Sequence, residues 1–307
     1  MTERAFTPYD GLLFALVVFA WSGSWYALSV NARSFVVPEV SIVWRFASAA
    51  LVMFVWAAGA GMKLRFSLRE HGAFAAMGVL IFSSNFILYY YASFHVVSGL
   101  LAVMFSLASV VNLVLNALGG DFAGPRRWLG ASLGAVGIAL LYWPSLADGG
   151  GAAIGFAYCL LGTFSFCTGN VVSGRLQAAQ VPLIPASAWG MLYGAAWAAT
   201  LSVQTGSPFA FDWSVTYLVS LGWLSIVSTV LAFWAYLTLL GRIGAGRAAY
   251  ATVMFPIFAL LISTVAEGYE WTPLALAGVA LALLGNLFVL RRQLKPEPRP
   301  APSAEPA

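Results

Sequence analysis

Charge is what this chain has least of. Only 8% of its 307 residues are charged, against 61% hydrophobic. Soluble domains carry about 25% charged residues. So little polar side chain cannot cover a fold in water, and lipid must be its solvent. The formal net charge of +4 does not point to nucleic acid. Sparse basic residues in an apolar chain mark loops on one side of a membrane.

Histidine is scarce as well. His71 and His95 sit at ends of different apolar stretches, on opposite sides of the bilayer, and cannot share a metal site. No Gly-rich loop ends in Lys-Ser/Thr, and no helix carries the facing aspartates of an intramembrane protease. An enzyme is not expected, nor a cofactor or metal. Cys159 and Cys167 lie eight residues apart in one apolar segment. That is about 12 Å along a helix, too far for a disulfide, so both read as small packing residues. Acidic residues are missing from helix centres: Glu39, Glu70, Asp121, Glu267 and Glu270 all fall at ends. Proton-coupled carriers keep a buried carboxylate for the proton, so a carrier without a carboxylate proton relay is expected. Pore-lining rings of charge and a repeated filter are absent too, which disfavours the alternative of a passive channel.

What is present is apolar length. A membrane-spanning helix needs about 20 mainly apolar residues. Ten windows qualify: Tyr9–Val30, Glu39–Ala60, Glu70–Phe94, Val97–Leu118, Arg127–Trp143, Ala152–Gly174, Leu183–Gln204, Trp213–Leu240, Ala245–Ala266 and Pro273–Leu290. With the N-terminus cytoplasmic, Lys63, Arg65, Arg69, Arg126, Arg127, Arg175, Arg242 and Arg247 are all inside, and Arg33 alone lies outside. That asymmetry predicts cytoplasmic termini. The expected organisation is a cytoplasmic N-terminus (1–8), two five-helix repeats (9–145 and 150–292) and a disordered cytoplasmic tail (293–307).

The repeat is visible residue by residue. Gly99 answers Gly246, Met104 answers Ala251 and Ser109 answers Pro256, at a spacing of about 147 residues. Pro125, Gly130 and Gly137 answer Pro273, Gly278 and Gly285, one residue further on. The segment from Phe19 to Trp25 aligns with that from Phe164 to Asn170, and Tyr89 with Tyr236. Five spans is an odd number, so the copies lie antiparallel. Inverted repeats suit alternating access, with a solute site between the halves near mid-membrane.

The side chains expected to line that site are aromatic, amide and hydroxyl groups. They are Trp21 and Trp25 on the first helix, and Asn85 and Tyr89 on the third. The fourth supplies Ser109 and Asn112, within a stripe from Ser98 to Asn116. The sixth gives Cys167 and Asn170; the eighth Thr229, Trp234 and Tyr236; the ninth Tyr250, Met254 and Pro256. Such walls suit a neutral or zwitterionic organic solute; packing between helices is the alternative for each. Arg45 lies about 10 Å into its helix. It meets either a solute carboxylate, the membrane surface by snorkelling, or Glu39 or Glu267. Pro256 is expected to make the ninth helix the more bent of the matched fourth and ninth.

The doubled unit has a Trp/Asn-bearing first helix, a Pro-led second helix with Arg45, and a Gly-started fourth running into a Gly-rich fifth. It resembles the EamA type of the drug/metabolite transporter superfamily over about residues 9–292, and most of all its bacterial amino-acid exporters. Ser109 stands where the family's first repeat often has proline, Gly120-Asp121 where it often has Gly-Glu, and Trp25 where it has asparagine. The resemblance implies a monomeric inner-membrane exporter of amino acids, broad in choice and favouring aromatic or apolar ones; another drug or metabolite is the alternative.

Overall fold

The computed structural model describes residues 7–120, 122, 124–147, 151–248 and 250–290. The tail expected to be disordered (293–307) and most of the N-terminal segment (1–8) lie outside the described residues, as do Arg4, Arg291 and Arg292. Among the described residues the structure is all-α. Its ten rods are α1 (Pro8–Ala32), α2 (Pro38–Gly59), α3 (Leu68–Ala92), α4 (Ser98–Leu118), α5 (Pro125–Ala147), α6 (Ala152–Ala178), α7 (Leu183–Gln204), α8 (Val215–Ile243), α9 (Ala245–Ala248 continuing as Tyr250–Glu267) and α10 (Pro273–Leu290). Seven of them, α1–α4, α6, α8 and the longer part of α9, are long and apolar enough to cross a membrane. Among the remaining three, α10 is apolar but shorter in its described residues, α7 packs on α2 and α5 packs on α10.

Local sequence explains where the rods start. Thr7 and Asp10 form a capping box at α1, and Ser67 and Glu70 form another at α3. Pro8, Pro38, Pro125 and Pro273 open their helices, where a missing N–H costs nothing. Gly244, at φ 84°, turns α8 sharply into α9.

The inversion of the repeats is recorded in a glycine seam. A Cβ on Gly137 would stand 2.5 Å from the Gly278 carbonyl oxygen, and one on Gly278 would stand 2.6 Å from that of Gly137. A Cβ on Gly130 would stand 2.7 Å from the Gly285 oxygen. First copy meets second copy reciprocally and antiparallel, as a two-fold axis in the membrane plane requires. Other contacts come in mirrored pairs: α3 on α6 with α8 on α1, and the middle of α3 on α7 with the middle of α8 on α2.

Two irregularities obey the same symmetry and carry no signature in composition. Gly78–Ser84 within α3 and Trp223–Leu231 within α8 are π-helical. The repeat spacing carries the first onto the second. Thr229 Oγ1 donates to the Leu224 carbonyl at 2.7 Å, across the wide π turn.

In the fourth and ninth helices the interruption does not fall at Pro256. α9 runs unbroken through Pro256 from Tyr250 to Glu267. α4 is the interrupted one, ending a first segment at Phe105 and starting a second at Ala108. Serine is the cause. Ser106 Oγ donates to the Val103 carbonyl at 2.6 Å, and Ser109 Oγ to the Ser106 carbonyl at 3.0 Å. The backbone tightens with them: the amides of Ser106, Leu107 and Ser109 bond three residues back. Hydroxyls that compete for carbonyls loosen a helix locally. Pro256 itself is buried, with Ala251 and Ala259 buried on either side of it in the helix.

The seam makes a prediction of opposite signs. Gly137→Ala forces a methyl against the backbone of Ala282 and Gly278 and should destabilise by about 1–3 kcal/mol. Gly174→Ala meets open space and should be neutral or gain up to about 1 kcal/mol of helix propensity. Melting of the detergent-solubilised variants measures both; equal shifts would remove the seam's role.

Candidate functional site

The first helices of the two repeats each reach across to the opposite copy's irregular helix. Ser22 Oγ shares its proton between the Val18 carbonyl of its own helix, at 2.6 Å, and the Phe255 carbonyl, at 3.0 Å and one residue before Pro256. Cys167 Sγ donates to the Ala108 carbonyl at 3.4 Å, one residue before Ser109. On the repeat map Cys167 answers Ser22 and Ala108 answers Phe255. The carbonyls at the two irregular points are thus held by matched side chains.

Around these points the aromatic rings converge. Trp25 is buried and lies 5.0 Å from Tyr89, 5.4 Å from Phe105 and 6.5 Å from Phe255, stacked on the last. Phe105 also meets Phe166 at 4.7 Å. Trp21 packs on Tyr236 at 5.3 Å and on Phe255 at 6.3 Å. Tyr89 is fully buried, its hydroxyl 2.6 Å from Thr163 Oγ1. Five helices, α1, α3, α4, α6 and α9, therefore meet in one ring, with α8 joining through Tyr236.

The two faces of this ring differ. On the face of Glu267, α4 and α9 are locked. Glu267 accepts from the Ser98 backbone N–H at 2.9 Å, from Ser98 Oγ at 2.5 Å and from Ser263 Oγ at 2.7 Å. Arg33 of α1 stands 3.8 Å from the same carboxylate. A Cβ on Gly99 would be 2.8 Å from Leu260 Cα, so the backbones touch. On the face of Arg242 the two helices take different partners: the second part of α4 lies on α5 and α6, and the start of α9 lies on α8. Ser109, Asn112 and Asn170 are half-buried there. Arg242 is ion-paired with the fully buried Asp10, tying α8 to α1.

Most of the expected site residues gather here, in unequal roles. Trp21, Trp25 and Tyr89 belong to the ring. Met254 packs with Trp21 and Tyr236 against Leu13 and Val17 on the Arg242 side. Tyr250 is half-buried one turn before Met254. Ser109 hydrogen-bonds Asn286 of α10 at 2.6 Å, Thr229 bonds its own helix, and Asn85 is fully buried with its amide nitrogen on the Ile81 carbonyl. Trp234 is a correction. It is 39% exposed, on the stripe it shares with Leu231 at 43%. Two residues along a helix are about 200° around it, so if Tyr236 faces Trp21, Trp234 faces away from the ring. The surface explanations of Arg45 also fail: it is 3% exposed, Glu39 accepts from Tyr91, and Glu267 pairs with Arg33. Sequence reasoning missed Phe166 and Phe255. Phe166 could have been found, since it occupies the place of Trp21 in the repeat.

An inverted ten-rod bundle with a central ring and one sealed face is the architecture of a membrane carrier. The profile of the EamA-like transporter family matches residues 153–291, the second repeat. Over 291 residues the chain is 25% identical to the "Uncharacterized inner membrane transporter YedA" of Escherichia coli strain K12, covering 92% of each. It is 25% identical over 300 residues to the "Probable amino-acid metabolite efflux pump" of Salmonella typhimurium strain LT2, covering 92% of this chain and 96% of the relative. A solved structure, described only as a crystal structure of a protein, shares the fold at TM-score 0.65 and 19% identity, over 92% of this chain and 98% of that one. The second repeat thus matches the EamA-like transporter profile, and along its length the chain is similar to bacterial inner-membrane transporters, as a multi-pass protein of that membrane.

The ring and the exposed stripe predict different mutational outcomes. Trp25→Ala should lower transport at least tenfold with protein level unchanged; Trp234→Ala should stay within twofold of the parent. Equal losses, or loss of Trp25→Ala from the membrane, would make the ring a packing core only.

Proposed function

We propose that this protein exports amino acids, broadly and with a preference for aromatic or apolar side chains, by alternating access. The observation that carries the proposal is the ring of Trp25, Tyr89, Phe105 and Phe255 at the meeting point of both repeats. Aromatic faces bury an apolar solute side chain. The hydroxyls and amides of Ser109, Asn112 and Asn170 on the Arg242 side suit a zwitterion's head group, with Tyr250, Met254 and Tyr236 completing the wall. The relatives named as an amino-acid metabolite efflux pump support the solute class and the direction.

The Arg242 face is the cytoplasmic one under the basic-residue asymmetry, with both termini on that side. The sealed Glu267 face is then periplasmic, and the structure corresponds to the stage that loads from the cytoplasm. One chain holds both repeats, so a monomer suffices. Cys159 and Cys167 are free and buried, Cys167 serving as a donor. Among the described residues no carboxylate lies at the ring, and transport follows the solute gradient without a proton relay.

Counterflow in proteoliposomes tests this. Labelled phenylalanine should accumulate against an internal excess of unlabelled phenylalanine, saturably and without a pH gradient. Leucine and tryptophan should compete, and glucose should not. Non-saturable flux would indicate a channel; failure of every amino acid to compete would leave another metabolite as the solute. Strict dependence on a pH gradient would overturn the relay-free mechanism.

A further inference from the structure

Among the described residues, Arg45 is the one strongly buried cation whose bonds are incomplete. Its Nε and Nη1 have no hydrogen-bond partner. The guanidinium lies 4.1 Å from the centre of the Phe86 ring and 4.8 Å from that of Phe46, with the Tyr90 side chain beside it. Neither ion pair among the described residues includes it. A guanidinium offers five N–H donors in a rigid fork that fits a carboxylate. Two donors of that fork are held in a dry, aromatic pocket with nothing to donate to.

A polar path leads from this pocket toward the Glu267 face. Tyr90 donates its hydroxyl to Asn31 Oδ1 at 2.9 Å, and Asn31 Nδ2 donates to Ser220 Oγ at 3.0 Å. Ser41, one turn before Arg45 on α2, meets the Tyr217 hydroxyl at 3.1 Å. Tyr217 lines a cavity of about 390 Å³ between α1 and the start of α8. Arg33 and Asp212 stand on the wall of the same cavity. The sequence is thus open cavity, a gate of hydroxyls and an amide, then a guanidinium that bonds Tyr90 but leaves Nε and Nη1 without a partner. None of it overlaps the aromatic ring: Arg45 reaches α1 through Asn31, almost two turns beyond Trp25.

We propose that Arg45 anchors a second solute site on the Glu267 side of the ring, which takes a carboxylate entering or leaving through this cavity. Parting of the Tyr217–Ser41 and Asn31–Ser220 contacts exposes the guanidinium, and a charge-assisted N–H···O bond to the carboxylate from Nε or from Nη1, which lie on different edges of the group, supplies a missing partner. The copy-two counterpart of Arg45 is Trp189, so this site belongs to one face only and gives the carrier a direction-dependent affinity. The inference rests on the proposed transport of a carboxylate-bearing solute, but its test does not need transport.

The full-length protein in detergent is titrated with 3-phenylpropionate and with 3-phenylpropanamide, which share a ring and differ in the carboxylate. Thermal stabilisation is read for the parent, Arg45→Gln and Arg45→Lys. The carboxylate should stabilise the parent at a concentration at least tenfold below the amide. Arg45→Gln should erase that preference and Arg45→Lys keep part of it. Where Arg45→Gln fails to fold, Arg45→Lys carries the comparison, and its preference must fall. Equal action of the two probes on the parent, no stabilisation by the carboxylate, or an unchanged preference in the variants overturns the site. If phenylalanine counterflow fails while the carboxylate preference holds, the transport proposal falls and the site stands. Counterflow without the preference overturns the site and leaves the transport proposal standing.

Discussion

In a bilayer every backbone N–H and C=O must find its partner inside the protein. Everything irregular in this molecule is built within that constraint. Where α4 breaks, the hydroxyls of Ser106 and Ser109 share the Val103 and Ser106 carbonyls with the backbone amides three residues on. Beside Pro256, Ser22 holds a carbonyl from the neighbouring helix. Where α3 and α8 widen into π turns, Asn85 and Thr229 bond back to them. These departures surround the aromatic ring, and most are doubled by the repeat. A helix whose ladder is already shared with side chains can change its local path at little cost, as movement around a central solute demands.

The duplication supplies the rest. The glycine seam of α5 and α10 lets two backbones meet at the pseudo-two-fold axis. It fixes the copies against one another while α4 and α9 remain free to differ. In this structure they differ on one face only. Glu267 joins the start of α4 to the end of α9, whereas on the Arg242 face these helices lean on separate neighbours. Inverted halves in two arrangements are what exchange of open and closed faces requires.

Much of this was legible in the sequence. Ten apolar windows, the antiparallel repeat and the equivalence of Gly130 and Gly137 to Gly278 and Gly285 follow from hydropathy, parity and spacing; that these glycines meet crosswise does not. Trp21, Trp25 and Tyr89 were legible as residues of the inner helix faces, and the structure brings them into one aromatic ring. Other features depend on competition that a residue list does not settle. Pro256 announces a break, yet its helix continues through it, and the interruption falls at two serines of the matched helix instead. Trp234 and Tyr236 look equivalent until the helix assigns them faces some 200° apart. Arg45 could have snorkelled; only packing shows that Phe46 and Phe86 enclose it. The π turns have no sequence mark beyond their coincidence on the repeat.

The central claim is that the seal between α4 and α9 passes from one face to the other. Spin labels report it directly, with Cys159 and Cys167 replaced by serine. One pair sits at Val97 and Ala266, beside the Glu267 lock, and the other at Asn116 and Arg247 on the opposite face. Alternating access predicts a short first distance and a long second one in the absence of solute, with the two changing in opposite senses when phenylalanine is added. Distances that lengthen together, as in an opening pore, or that stay fixed under saturating solute during active counterflow, would contradict it.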